Sequence, residues 1–300
     1  MAPAIDHVDI EGQMPTRLAS FLHGELGSIH LKKSFTFGLL VLAGFLVPAH
    51  ADNLSLKTIS GFDIGGQISS YKYEETDPNG NFFMSLEGSK IGATGSYTRA
   101  LNNNWYWMAD GRFAAGSTNY TSAATGSKGS NPDRYLDLRF LVGRDCEVGN
   151  YVLTPFAGAG YRTLYNDLTG YTSTGNIGYR RTSRYAYLPL GLTHRFHVND
   201  QARVATTLEY DYLLEGTQRS YTTDISGYTS DLVNTQRNGY GLRLNVAYET
   251  MPWSVGVFYH YWNIQDSDVG TYTDATRVYS GIEPRNTTKE VGIQIRYRFH

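Results

Sequence analysis

Glu209 and Asp211 stand two residues apart in the run Leu208-Glu209-Tyr210-Asp211-Tyr212. On an extended backbone this spacing turns both carboxylates to one face, as a general acid and general base would need. Such a pair also needs a basic partner to activate water, and none lies beside it in the sequence. His260, in Phe258-Tyr259-His260-Tyr261, sits in an aromatic strand-like run, whereas His194 and His197 flank a short turn. The histidines form no cluster with metal-ligand spacing. Cys146 is the single cysteine, so an internal disulfide or a cysteine-rich metal site is excluded. Gly158-Ala159-Gly160 has the glycine content of a phosphate loop, but it lies inside a strand and no helix follows to supply amide donors. Its small residues fit close side-chain packing instead. No metal and no cofactor is expected.

The other charges form a pattern rather than a cluster. Asp63, Asp110, Arg112, Asp137, Arg139, Arg162, Glu209, Asp211, Arg243, Glu290, Arg296 and Arg298 all fall on the polar parity of alternating segments. Both signs are present, so charges confined to one interior should pair. Over the 300 residues, 26 Lys and Arg face 28 Asp and Glu without any basic block, which argues against nucleic acid as a partner. Only 18% of residues are charged, while 32 glycines and 24 tyrosines point to a β protein.

The elements that must position these residues have period two. Phe62, Ile64 and Ile68 alternate with Asp63, Gln67 and Ser69; Ile91, Ala93, Gly95 and Tyr97 alternate with Lys90, Thr94, Ser96 and Thr98. Further segments are predicted around residues 107–115, 136–142, 151–162, 185–196, 204–214, 240–248, 253–264 and 290–299, ten in all. The ninth is ambiguous, because Phe258 and Trp262 lie on the opposite parity from Val255, Val257 and Tyr259. Segments reaching about 9 to 11 residues match a tilted membrane strand, longer than the roughly six of a sandwich strand. Short connections at 101–104, 145–150, 198–201 and 249–252 alternate with long ones near 73–89, 116–133, 164–183, 215–237 and 265–288. The expectation is an all-β transmembrane antiparallel up-and-down barrel with short periplasmic turns and long extracellular loops. Trp105, Tyr151, Tyr185, Tyr248 and Trp253 are expected in its interfacial girdles.

Residues 35–47 form the one long apolar run, preceded by Lys32 and Lys33 and followed by Ala49-His50-Ala51. This is the three-part pattern of a secretory signal, and it is shorter than the ~20 residues of a membrane anchor. Cleavage is expected between Ala51 and Asp52. The domain reading is then residues 1–30 as an upstream extension from a misassigned start, 31–51 as signal peptide and 52–300 as barrel.

The chain resembles the small bacterial outer-membrane β-barrel proteins of the outer-membrane protein β-barrel domain family. The residues that carry the likeness are Ala49-His50-Ala51, the strand Leu153-Thr154-Pro155-Phe156-Ala157-Gly158-Ala159-Gly160-Tyr161-Arg162, and the final strand with Phe299. The resemblance implies a bacterial outer-membrane location, contact with lipid and lipopolysaccharide, and Phe299 as the mark read by the barrel-assembly machinery. Ten strands also look like the omptin outer-membrane proteases, whose chemistry uses an aspartate pair facing an aspartate-histidine pair. Here the second long connection offers only Asp133, and the fourth has no histidine. Lipid A deacylases, likewise similar in architecture, carry a serine two residues after the strand histidine, where this chain has Trp262.

A structural or surface-interaction role, adhesin-like and without catalysis, is therefore expected. The outer loops repeat Tyr120-Thr121-Ser122, Tyr171-Thr172-Ser173 and Tyr228-Thr229-Ser230, the chemistry of adaptable binding loops for an extracellular ligand. A narrow porin-like channel for small solutes is the alternative, and an omptin-like or lipid A-modifying enzyme the second. In a ten-stranded barrel, only slightly wider than one whose side chains fill it, the paired charges are expected to plug the lumen.

Overall fold

A computed structural model describes residues 54–299. Ala49, Ala51, Asp52 and the two segments before residue 52 lie outside the described residues. Ten antiparallel strands build one closed sheet: β1 Gly61–Thr76, β2 Phe82–Ala100, β3 Trp105–Ser122, β4 Gly126–Arg144, β5 Tyr151–Tyr171, β6 Ile177–Asn199, β7 Ala202–Ser220, β8 Gly239–Thr250, β9 Trp253–Ile264 and β10 Asn286–Phe299. Each pairs with its sequence neighbour, and β10 returns to β1 in a register running from Phe62↔Phe299 to Glu75↔Asn286. Closure matters because lipid offers no partner for a free strand edge.

Alternation sets what each side of this wall meets. Ile64, Ile91, Leu138, Leu208, Val257 and Ile293 are exposed on the outer side, whereas Asp63, Lys90, Asp137, Glu209, His260 and Gln294 are buried inside. The ambiguous β9 resolves in the same sense: Phe258, Trp262 and Ile264 point inward with His260. At the end where the described chain starts and stops, a girdle links Phe62 to Phe299 and Trp253 to Tyr297, with ring centroids 6.2 and 4.9 Å apart. Tyr185 does not join a girdle. It is 3% exposed and stacks on Trp262 in the lumen, because its parity matches Arg181, Ser183 and Tyr187.

The interior rings are admitted by glycines on the facing strand. Gly160 lies opposite Tyr187 and Gly191 opposite Phe156, and a Cβ at either glycine would overlap the ring. Gly216 with Tyr185 and Gly292 with Phe258 repeat the arrangement. An aromatic folded over a neighbouring glycine supports sheet curvature and fills a small barrel at once.

The strands run beyond the expected segments. β5 has 21 residues and β6 has 23, against about 10 needed to cross the apolar band. The first three long connections therefore shrink to residues 77–81, 123–125 and 172–176, since alternation continues through the stretches read as loop. The strands β8 and β9 have only 12 residues each. Above them, residues 221–238 carry a short strand, Leu232–Gln236, paired to β7, and residues 265–285 carry the hairpin Gly270–Thr273/Val278–Gly281.

Candidate functional site

The lumen is a stack of ion pairs and aromatic rings. Nearest the chain ends, Arg298 donates to both oxygens of Asp63 at 2.8 and 2.6 Å. Arg139 bridges Asp110, at 2.7 Å, and Glu209, at 2.6 Å. Cross-strand register explains the first contact, since Asp110 and Arg139 face each other between β3 and β4.

Arg243 is the hub of the middle layer. Its guanidinium lies 2.6 Å from Asp211, 2.8 Å from Asp137 and 3.2 Å from Glu209, and donates to the Tyr187 hydroxyl at 2.8 Å. Tyr187 in turn donates to Asp137 at 2.5 Å. Beside it, Arg112 donates to Gln67 and to Tyr135, and Tyr135 donates to Glu290 at 2.8 Å. Glu290 also accepts from Ser69, while His260 takes a hydrogen bond from Arg112 through a ring nitrogen. Arginine can only donate, so that nitrogen is the unprotonated one. Arg162 is 3% exposed and has no ion-pair partner among the described residues; its cation lies over Tyr135 and Trp262 at 5.6 and 5.3 Å.

Rings close the space that the charges leave. Tyr135, Tyr185, Tyr187 and Trp262 pack with Ala114, Leu164, Leu213 and Ile264 in one buried cluster. Beyond it Lys90 is paired with Asp133, which also accepts from Asn166, and the ammonium sits 4.0 Å from the Tyr71 ring centroid. Towards the loop end, Arg181 holds Glu75 at 2.6 Å and also Glu283, with the Tyr73 hydroxyl 2.8 and 3.0 Å from the two carboxylates. Burial, opposed by Arg181 and reinforced by Glu75, pushes the Glu283 carboxyl above its ordinary range.

All twelve charged residues read from the sequence point into this interior, and Phe299 ends β10 on the outer side. The structure adds Glu75, Lys90, Asp133, Arg181, Arg195, Arg203, Glu249 and Glu283 to the buried set or its immediate partners. Several of these lie where a loop or turn was expected, and unbroken parity, as in Tyr71-Tyr73-Glu75, is the signal that reaches them. Glu209 and Asp211 do share a face, but both are tied to Arg243, and no group of three His, Cys, Asp or Glu among the described residues could hold a metal.

At the loop end, neighbouring connections clasp each other. Ser173 N donates to Ser127 O at 2.8 Å, and Thr174 Oγ1 donates to Thr125 O at 2.7 Å. Tyr228, Tyr272 and Tyr279 form a ring cluster with centroids 5.2 to 5.8 Å apart, joined by Thr229 and Thr273 hydroxyls at 2.8 Å. Asp274 closes its hairpin by accepting from Tyr279 and from the amides of Thr276 and Arg277, which hold its carboxyl down at about 2.

Residues 37–225 match the sequence profile of the outer membrane protein beta-barrel domain. The chain belongs to that family. The outer membrane protein beta-barrel domain places it in the bacterial outer membrane, in agreement with a closed wall that is apolar outside and charged within. No curated protein matches the sequence significantly. Among solved structures, the chain is similar to the outer membrane protease OmpT of Escherichia coli, at 12% identity and TM-score 0.53, covering 82% of this chain and 100% of that one. It is also similar to the toluene transporter TodX of Pseudomonas putida, at 9% identity and TM-score 0.37, covering 80% of this chain and 90% of that one. A third is Ail, the attachment invasion locus protein of Yersinia pestis, solved with the heparin analogue sucrose octasulfate, at 10% identity and TM-score 0.31, covering 80% and 100%. At these identities the OmpT likeness is one of fold.

Proposed function

We propose that this outer-membrane barrel neither conducts nor catalyses, and that it serves as a structural, surface-interaction protein that meets an extracellular ligand through its loop end. The observation that carries the reading is the filled lumen: Arg243, Asp137, Asp211, Tyr187 and Trp262 are each at most 4% exposed and lock together across the middle of the barrel. A solute path would have to break that layer. Catalysis has little to stand on there, because His260 is engaged by Arg112 and its strand carries Trp262 where a deacylase-like site would place a serine.

The strands and clasped loops project a rim of Tyr, Thr and Ser, with Tyr171 71% exposed at a hairpin tip. Aromatic area with few rotors and small hydroxyls suits adaptable binding of a polar surface such as glycan or matrix. Lipid and lipopolysaccharide contact the outer wall, and Phe299 serves as the mark for the assembly machinery. Planar-bilayer recording tests the reading: no discrete steps are expected from the wild type, and single-channel steps lost on changing Arg243 or Asp137 would replace it with transport. Cells carrying a chain trimmed at the tip of residues 221–238 should lose binding to immobilised glycans or matrix; unchanged binding counts against adhesion.

A further inference from the structure

Between the first described residues and the Arg139 layer lies a chamber of about 200 Å3. Leu54, Thr58 and Ile59 line it at the outer end, and Arg139, Glu209 and His260 at the inner. The segment that roofs it is held in place: Leu54 N donates to Asp200 O, Thr58 donates to Asp145, and Arg203 donates to the carbonyls of Ser55 and Lys57.

The chamber wall carries six arginines against the carboxylates Asp63, Asp110, Glu209 and Glu249, with Asp145 behind Arg195. Most of these charges are already committed. Asp63 is gripped by Arg298, Glu249 by Arg203 at 2.6 Å, and Glu209 by Arg139, while Arg243 is spent on its own hub. Arg195 and Arg296 are left under-used. Arg195 has Thr154 at 2.8 Å and Asp145 only at 3.4 Å; Arg296 has Gln294 at 3.2 Å and Asp110 only at 3.9 Å. The Nε of each is buried without a hydrogen-bond partner among the described residues. The same is true of one acceptor, Asp110 Oδ2.

An arginine offers five donors in a planar fork that suits tetrahedral oxyanions, and a buried donor left unmade is costly. Both arginines line this one chamber, so an anion held in it meets their spare donors, but the unpaired Asp110 oxygen repels a ligand without a proton to give. Hydrogen phosphate carries both negative oxygens for the arginines and one hydroxyl for Asp110, whereas sulfate at neutral pH has no hydroxyl. We propose that this chamber is a phosphate-binding site, selective for hydrogen phosphate over sulfate, at the end of the barrel where the strands start and finish.

The test is calorimetric titration of the detergent-folded full chain with inorganic phosphate and, separately, with sulfate and chloride. Saturable phosphate binding is expected, with sulfate at least tenfold weaker. The R195Q/R296Q variant, its folding checked by heat-modifiable migration, should weaken phosphate at least tenfold, and R296K should retain most of it. Absence of saturable phosphate binding, sulfate binding as tight as phosphate, or a double variant with wild-type affinity would each overturn the proposal. The selectivity arm needs only the wild type, so the test stands even where a variant fails to fold.

Discussion

Replacing Arg243 with Met probes the centre of the barrel most directly. The side chain is 4% exposed and ties Asp137, Asp211 and Glu209 into one layer, together with the Tyr187 hydroxyl. Methionine fills similar volume but leaves three buried carboxylates with less compensation. Removing one partner of a buried ion pair costs about 3–5 kcal/mol. The lost Tyr187 bond adds roughly 1 kcal/mol. Some relaxation is available, since Glu209 keeps Arg139 at 2.6 Å, so a net loss of about 4 kcal/mol is expected. With a urea slope of about 2 kcal/mol per molar, the unfolding midpoint in detergent or lipid vesicles should fall by about 2 M. Tryptophan emission reports the transition, because Trp262 lies against this layer. Adding D211N to R243M removes one stranded charge and should recover part of the loss, giving a coupling of about 0.5–3 kcal/mol in a double-mutant cycle. If R243M unfolds within about 1 kcal/mol of the wild type, water reaches the hub and the packed-lumen argument fails.

Three further outcomes follow from other layers. Gly160→Val should drive a side chain into the Tyr187 ring and cost about 1–3 kcal/mol, read as a lower urea midpoint, whereas the same change at Gly66, where a Cβ meets only Gly92 O at 3.7 Å, should cost much less. Ile293→Lys puts a charge on the lipid side of β10, where the wild-type residue is 42% exposed, and should cost about 2–4 kcal/mol if it lies near the bilayer midplane; folding yield into vesicles measures it. Because the folded state holds the Glu283 proton above the ordinary glutamate range, the unfolded chain ionises first as pH rises. Stability of the loop end should then decline upward from about pH 4.5 until the folded carboxyl also ionises, and E283Q should flatten that slope in a pH series of proteolysis rates at the loop 265–285.

The wall of this barrel was legible because lipid outside and charge inside impose a strict period of two. Ile293 and Arg296 announce opposite faces without any knowledge of the fold. Strand length was less legible: above the bilayer both faces meet polar surroundings, so Glu75, Asp133 and Arg181 look like loop residues although their parity never breaks. Tyr185 shows a second blind spot. An aromatic near a strand end suits either a girdle or a filled lumen, and the two are told apart by its parity with Arg181 and Ser183, which read as loop, and by the glycine across from it, Gly216. The individual ion pairs were out of reach, because sequence fixes the side a charge faces and not the shear that sets its neighbour. Arg243 meets Asp137 across the interior, far from any strand-to-strand register.

The contact of Arg298 with Asp63 joins positions 235 residues apart, and it lies on the seam where the last strand meets the first. A sheet that stops short of that seam leaves two unsatisfied borders in oil. Partly wound forms are therefore penalised along their whole height, and nothing stable stands between a loose ribbon and the finished tube. Damage far from the seam should accordingly register there as well, as a shift in how often the entire ring is shut.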